Sequence, residues 1–288
     1  METRTDISTV IVTYNPANID VYVKPNVELL KIFGIKTIVV DNGGNKLLSD
    51  CEFLSINGNI GYGAAVNRGM SEVKTEYSLV MNDDIKLTEE FIEGLLESLR
   101  KYSSFKYGVV GFKVISSKTN RTGISKFNYG PLILIYHFSI LPTLARIFSY
   151  KHKEHSVFET IHYSKSSKPV KNLSGAIFLI REDIFRMVGG FDEKLFLTYE
   201  ETELFRRISK SGCVLYYDNS LKVRHLHSFT ASKSSLAYSF RSMKYFLRKH
   251  YPQIIAEVVI LWVFIYLYLK NIVTLKKSSY EYKAFTGK

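Results

Sequence analysis

Two acidic stretches in this chain have the make-up of reactive groups. Asn82-Asp83-Asp84 closes the apolar run Tyr77 to Met81, and Glu200-Glu201-Thr202-Glu203 follows Phe196-Leu197-Thr198-Tyr199. Adjacent carboxylates at a strand end repel each other unless a cation or solvent relieves them. Mg²⁺ or Mn²⁺, which take oxygen ligands, would do so and could also hold a substrate diphosphate. The same residues equally suit a turn that caps the next helix. Carboxylates at 200–203 suit an ordinary helix start, where the helix dipole favours negative charge. The apolar residues ahead of them point to partial desolvation, and a carboxylate in such a setting is a candidate general base.

Other clusters are weaker. His225 and His227 alternate around Leu226 at the end of a strand-like run. That same-face spacing suits metal ligands, and it also suits surface histidines. Gly58-Asn59-Ile60-Gly61-Tyr62-Gly63 precedes a helix, where glycines permit close backbone approach and a helix N-terminus favours an anion. The glycine spacing matches neither the dinucleotide fingerprint nor the Walker loop. Ser174-Gly175 lacks the nucleophile-elbow pattern, and neither cysteine sits in a motif.

Elements must position these groups. Thr9–Thr13, Lys36–Val40, Phe53–Ile56, Tyr77–Met81 and Gly108–Phe112 read as short buried strands. Helical patterns occupy Val21–Phe33, Tyr62–Val73, the stretch after the N-cap Thr88, Asp183–Val188 and the stretch from about Glu201 to a stop at Gly212. Lys168–Arg181 reads as a return to strand, and Val214–Tyr217 and Leu221–Val223 as edge strands. The alternation predicts an α/β fold with a Rossmann-like, mainly parallel central sheet flanked by helices. Ligands of such sheets bind beyond the carboxyl ends of the strands. Thr13-Tyr14-Asn15, Asp41-Asn42 and Asn82-Asp83-Asp84 all fall there.

Bulk properties narrow the partners. The chain has 288 residues and a formal net charge of +12, which suits anionic partners. No zinc-finger spacing, RNP-type strand or dense basic block accompanies the charge, so no nucleic acid is expected. Cys51 and Cys213 form no paired motif, which suits a reducing cytosol, and the polar start Met1–Ser8 does not read as a secretory signal. Ile254–Leu269 is almost wholly apolar over 16 residues, broken only by Glu257 and flanked by Arg248, Lys249 and Lys270. A spanning helix needs about 20 residues. With Trp262, Tyr266 and Tyr268, this run reads first as a helix lying in a membrane interface, ahead of a span or a buried helix.

In order along the chain, several pieces resemble the family-two inverting glycosyltransferases of the GT-A fold, in particular their bacterial rhamnosyltransferase and galactofuranosyltransferase-like branch. The pieces are Val10–Asn15, Val39–Gly43, Asn59–Gly63 with Asn67-Arg68-Gly69, Met81–Asp84, Ser174-Gly175-Ala176, Gly189–Glu193, and Tyr199–Leu204 followed by His225. The resemblance implies a nucleotide-sugar site lined by Thr13, Tyr14, Asn15, Asp41, Asn42, Gly61, Tyr62, Gly63, Asn67, Asn82 and Asp83. It implies Asp84 and His225 as ligands of Mg²⁺ or Mn²⁺, Asn82 standing at the first position of the Asp-x-Asp motif. It implies Glu201 as catalytic base, a Glu where Asp is usual, with Glu200 as the second choice. Ser174, Gly175 and Asp192 would contact acceptor or donor sugar.

The resulting expectation is a sugar transfer from a UDP- or dTDP-linked donor to a lipid-linked saccharide acceptor in bacterial O-antigen, lipopolysaccharide or capsule synthesis. The enzyme would sit, peripheral or monotopic, at the cytoplasmic face of the inner membrane, against its anionic surface. The expected organisation is a catalytic domain over 1–235 (nucleotide-sugar half 1–112, acceptor half 113–235) and a basic, apolar, membrane-associating helical extension over 236–288. The alternative is a non-catalytic nucleotide- or sugar-binding scaffold of the same fold.

Overall fold

The β-branched runs do form strands, and long-range pairing joins them into a mixed sheet. The structure is a computed structural model that describes residues 6–43, 51–103, 107–117, 122–123, 130–139, 166–226 and 233–273. The strands are β1 (Ile7–Thr13), β2 (Lys36–Asp41), β3 (Glu52–Ser55), β4 (Tyr77–Asn82), β5 (Ile85–Lys86), β6 (Tyr107–Ser116), β7 (Thr122–Gly123), β8 (Lys168–Val170), β9 (Ile177–Arg181) and β10 (Val214–His225). Their order is β3-β2-β1-β4-β9-β6-β10-β5, with β7 beside β6 and β8 beside β10.

The parallel character is confined to β3-β2-β1-β4 and to the β6–β10 pair. β9 enters antiparallel between β4 and β6. β1 is buried at every position, as a central parallel strand covered on both faces must be. Helix α3 (Tyr62–Met70) lies close on this half. A Cβ on Gly69 would come within 2.5 Å of Val10 and 2.9 Å of Val40, so glycine permits the approach.

Three expectations are corrected. Val21–Phe33 is not one regular helix: α1 (Pro16–Asn18), a π-helical stretch (Ile19–Val23) and α2 (Lys24–Ile32) follow one another. Lys168–Arg181 is two strands, β8 and β9, separated by the loop that carries Ser174-Gly175-Ala176. Val214–Tyr217 and Leu221–Val223 are not edge strands. They are one strand, β10, paired with β6 on one side and with β8 and β5 on the other, with a register shift between Asp218 and Lys222.

The remaining helices are α4 (Glu89–Ser103), α5 (Pro131–His137), α6 (Glu182–Met187), α7 (Glu200–Lys210), α8 (Lys233–His250) and α9 (Gln253–Val273). The chain divides into two compact units, one comprising 1–126, 162–193 and 200–229, the other 127–161, 194–199 and 230–288. The first holds the sheet. The second has its own apolar cluster, in which Leu134, Leu195 and Tyr199 gather with Phe240, Phe246 and Leu247 of α8 and Ala256, Val259 and Val263 of α9. The other face of α9 is open, with Ile254, Val258, Leu261, Ile265 and Leu269 each 43% to 80% exposed. Trp262 turns its indole N–H inward to the carbonyls of Ile135 and Phe138, so its polar edge does not face a headgroup layer as an interface tryptophan's would. Among the described residues, no helix is long and apolar enough to cross a membrane.

Candidate functional site

The site is built at the carboxyl ends of β1 and β4. β4 runs out through Asn82 into Asp83 and Asp84, and β1 ends at Thr13 beside it. The Thr13 hydroxyl donates to Asp83 Oδ2 at 2.8 Å, and the Tyr14 amide reaches the same oxygen at 3.4 Å. Burial pushes the Asp83 carboxyl above its ordinary range. The Thr13 hydrogen bond pulls it back, and the neighbouring Asp84 pushes it up again. Tyr14 is 51% exposed. The Asn15 side chain caps α1 by accepting from the Ala17 amide.

Asp84 is buried, and His225 at the end of β10 places Nε2 3.0 Å from its Oδ1. The β5–β10 pairing of Ile85 with His225, and the Leu226 amide bonded to the Asp84 carbonyl, hold the two residues together. One carboxylate and one imidazole suit a divalent cation that completes its shell with substrate phosphates and water. Among the described residues, no three His, Cys, Asp or Glu side chains gather as a metal-holding group. His227 lies outside the described residues.

Glu200 and Glu201 open α7, and both are buried. Immediately before them, Thr198 (φ 64°) and Tyr199 (φ 68°) hold left-handed backbone, a conformation that costs about 1–3 kcal/mol per residue and clusters at functional sites. Further along α7, Glu203 is fully buried and bonded to Arg207, whose guanidinium also donates to the carbonyls of Val188 and Gly190. That brace ties the Gly189-Gly190 turn to the helix.

Tyr62 joins the two acidic stretches. Its hydroxyl donates to the Gly175 carbonyl at 3.3 Å, and its ring meets Phe191 edge to face. Burial raises the phenol well above its ordinary pKa, and Glu201, Glu200, Asp83 and Asp84 each raise it further. Carboxylates more than a hundred positions apart in the sequence therefore push the same phenol in the same direction. The 174–176 turn is tied to the same place: the Asn82 amide donates to the Ala176 carbonyl at 2.9 Å, and the Ser174 hydroxyl accepts from the Ala176 amide.

Several residues expected at the donor site are engaged in holding loops. Asn42 bonds Asn59, the Gly61 carbonyl and the Ile60 amide, fixing the turn in which Gly61 takes φ 91° ahead of α3. Asp41 is buried and accepts from the Gly43 amide. Gly63 lies against Phe191, where a Cβ would come to 3.0 Å. The Asn67 amide closes a pair of hydrogen bonds on the Phe191 backbone and a third on Glu193. Asp192, next to that pair, is part-buried. The residue whose linking role was missed is Tyr62. A tyrosine inside a glycine-rich run was the available signal, since a part-buried phenol needs a partner.

The profile of the family described as "Glycosyl transferase family 2" matches residues 8–188, more than half of the chain. The chain is 27% identical over 188 residues to the low-salt glycan biosynthesis hexosyltransferase Agl10 of Haloferax volcanii, a match that takes in 61% of this chain and spans about half (53%) of that protein's length. It is 24% identical over 280 residues, 84% of each chain, to the N-acetylglucosaminyl-diphospho-decaprenol L-rhamnosyltransferase of Mycobacterium tuberculosis. Among solved structures, S. aureus TarS 1-349 superposes with a TM-score of 0.50 at 11% identity, over 97% of this chain and 77% of that one, a likeness of fold. The sheet, the acidic strand end and the family profile agree, and the chain belongs to glycosyl transferase family 2.

Proposed function

We propose that this glycosyltransferase moves a sugar, with inversion, from a UDP- or dTDP-linked donor to a hydroxyl of a lipid-linked saccharide in bacterial surface polysaccharide synthesis. The observation that carries the reading is that the 174–176 turn touches both acidic stretches, the Asn82 amide donating to the Ala176 carbonyl and Gly175 lying against the Glu201 side chain, which argues for one site with two kinds of carboxylate. In this reading Glu201 accepts the proton of the acceptor hydroxyl, with Glu200 beside it. The hydroxyl oxygen bonds to the anomeric carbon from the face opposite the nucleotide. The bond to the diphosphate oxygen breaks in the same step, and the configuration inverts. Thr13, Tyr14, Asp41 and Asn82 border the nucleotide, and Ser174, Gly175 and Asp192 border the sugars. Asp84 and His225 would hold Mg²⁺ or Mn²⁺, and a bound cation supplies charge neutralisation at the leaving diphosphate.

The rhamnosyltransferase relative's name specifies a diphospho-decaprenol substrate, which supports a lipid-linked acceptor here. The open apolar face of α9, with exposed Arg241 and Lys249 on α8, suits an anionic membrane surface. The test is to incubate the purified protein with Mn²⁺ or Mg²⁺ and a panel of nucleotide sugars, with and without lipid-linked acceptors. Nucleotide release that depends on acceptor and on one donor is expected. Release with no donor under any condition would leave the scaffold alternative.

A further inference from the structure

The 174–176 turn touches Tyr62, Asn82 and Glu201, and its glycine has a measurable consequence. Gly175 lies against the Glu201 side chain: a Cβ built on it would come to 3.0 Å from Glu201 Cδ, 3.0 Å from Cγ and 3.1 Å from Cβ. These are tighter than ordinary carbon contacts, and one of the atoms is the stem of the side chain rather than its flexible end. Gly175 does not hold a left-handed φ, so alanine there is opposed by the contact and not by the backbone. The turn is fixed from two other sides, by the Tyr62 hydroxyl on the Gly175 carbonyl and by the Asn82 amide on the Ala176 carbonyl. It therefore cannot yield without disturbing α3 or the end of β4.

We propose that Gly175 is a positioning residue for Glu201: its missing side chain lets the glutamate stem lie flat on a turn anchored to the Asp83-Asp84 strand end, and so sets the distance between the two acidic stretches. The proposal rests on the reading of Glu201 as the base, and goes beyond it in naming what aims that base. A β-carbon at position 175 displaces the carboxylate by a few tenths of an ångström or more.

The test is Gly175→Ala in two backgrounds, the native chain and Glu201→Ala, which removes Cγ and Cδ from the contact. In the native background, kcat should fall by up to about 100-fold, the effect of a misplaced reacting group. Binding of UDP or dTDP, whichever the donor panel selects, should stay within about twofold. The denaturation midpoint should drop in the native background and by about half as much or less in Glu201→Ala, because residues in contact are non-additive. If Gly175→Ala does not fold in the native chain but folds with Glu201→Ala, the contact is supported equally. Unchanged kcat, or equal midpoint shifts in the two backgrounds, overturns the proposal. Failure of both variants to fold also overturns it, since the glutamate stem beyond Cβ would then not be what opposes the alanine. The midpoint comparison reads the contact alone. Full transfer by Glu201→Gln would instead overturn the reading beneath it.

Discussion

Asp218 and the carboxylates around Tyr62 belong to the same unit of the molecule and meet opposite surroundings. Asp218, 1% exposed, sits where β10 shifts register. Burial alone would raise its carboxyl. The Ser220 hydroxyl and amide at 2.5 and 2.8 Å, the Tyr102 hydroxyl at 2.9 Å and Lys101 at 3.6 Å outweigh that and hold it below its ordinary range. Ser167 donates to it as well. Around Tyr62, Asp83, Asp84, Glu200 and Glu201 all raise the phenol, and Asp83 is pushed up rather than down. A single carboxylate ringed by donors stabilises a fold. Carboxylates gathered at the end of β4 and the start of α7 suit binding or reaction.

That contrast can be broken. Asp84→Asn should lower transfer by more than about 100-fold, since a ligand worth several kcal/mol of charge stabilisation is lost, with a smaller effect on the unfolding midpoint than Asp218→Asn has. Steady-state nucleotide release and urea unfolding on the same preparation check both halves.

Asp218→Asn should do the reverse. It should destabilise by about 2 kcal/mol, because charge-assisted hydrogen bonds are lost and a donor is left facing a donor, with kcat preserved in the folded protein. The difference should depend on pH with a defined sign. Folding lowers the Asp218 pKa, so its contribution is complete above about pH 4, the ordinary aspartate value. It is lost as pH falls through the lower folded value. Urea midpoints of native and Asp218→Asn proteins, measured from pH 7 down to about pH 3, should therefore converge at the acid end. The smallest effect is Tyr102→Phe, which deletes one donor to Asp218 and should cost about 1 kcal/mol in the same titration.

The sequence made the acidic ends and the strand–helix alternation legible, since buried β-branched runs and polar strand ends are local patterns. It did not show β10 as one strand. Asp218-Asn219-Ser220 reads as a turn by composition, and only the pairing with β6 and β8 on either side carries the strand through it. The antiparallel entry of β9 was equally invisible, because strand direction is fixed by partners far away in the chain. At the site, residue types were readable but side-chain partners within the fold were not. Asn15, Asn42 and Asn67 read as ligand contacts in sequence, and that they also cap a helix, brace a turn and bridge to Phe191 needed the structure. The left-handed residues Thr198 and Tyr199 gave no sequence signal at all, since neither is a glycine or an asparagine.

The central claim is that the acidic residues at 83–84 and 200–201 serve one reaction, one pair at the leaving nucleotide and the other at the incoming hydroxyl. Glu201→Gln tests it most directly, assayed for Mn²⁺-dependent UDP or dTDP binding and for acceptor-dependent transfer in parallel. Binding should match the native chain while transfer falls by about 100-fold or more, the worth of a positioned base. Transfer at the native rate would contradict the account.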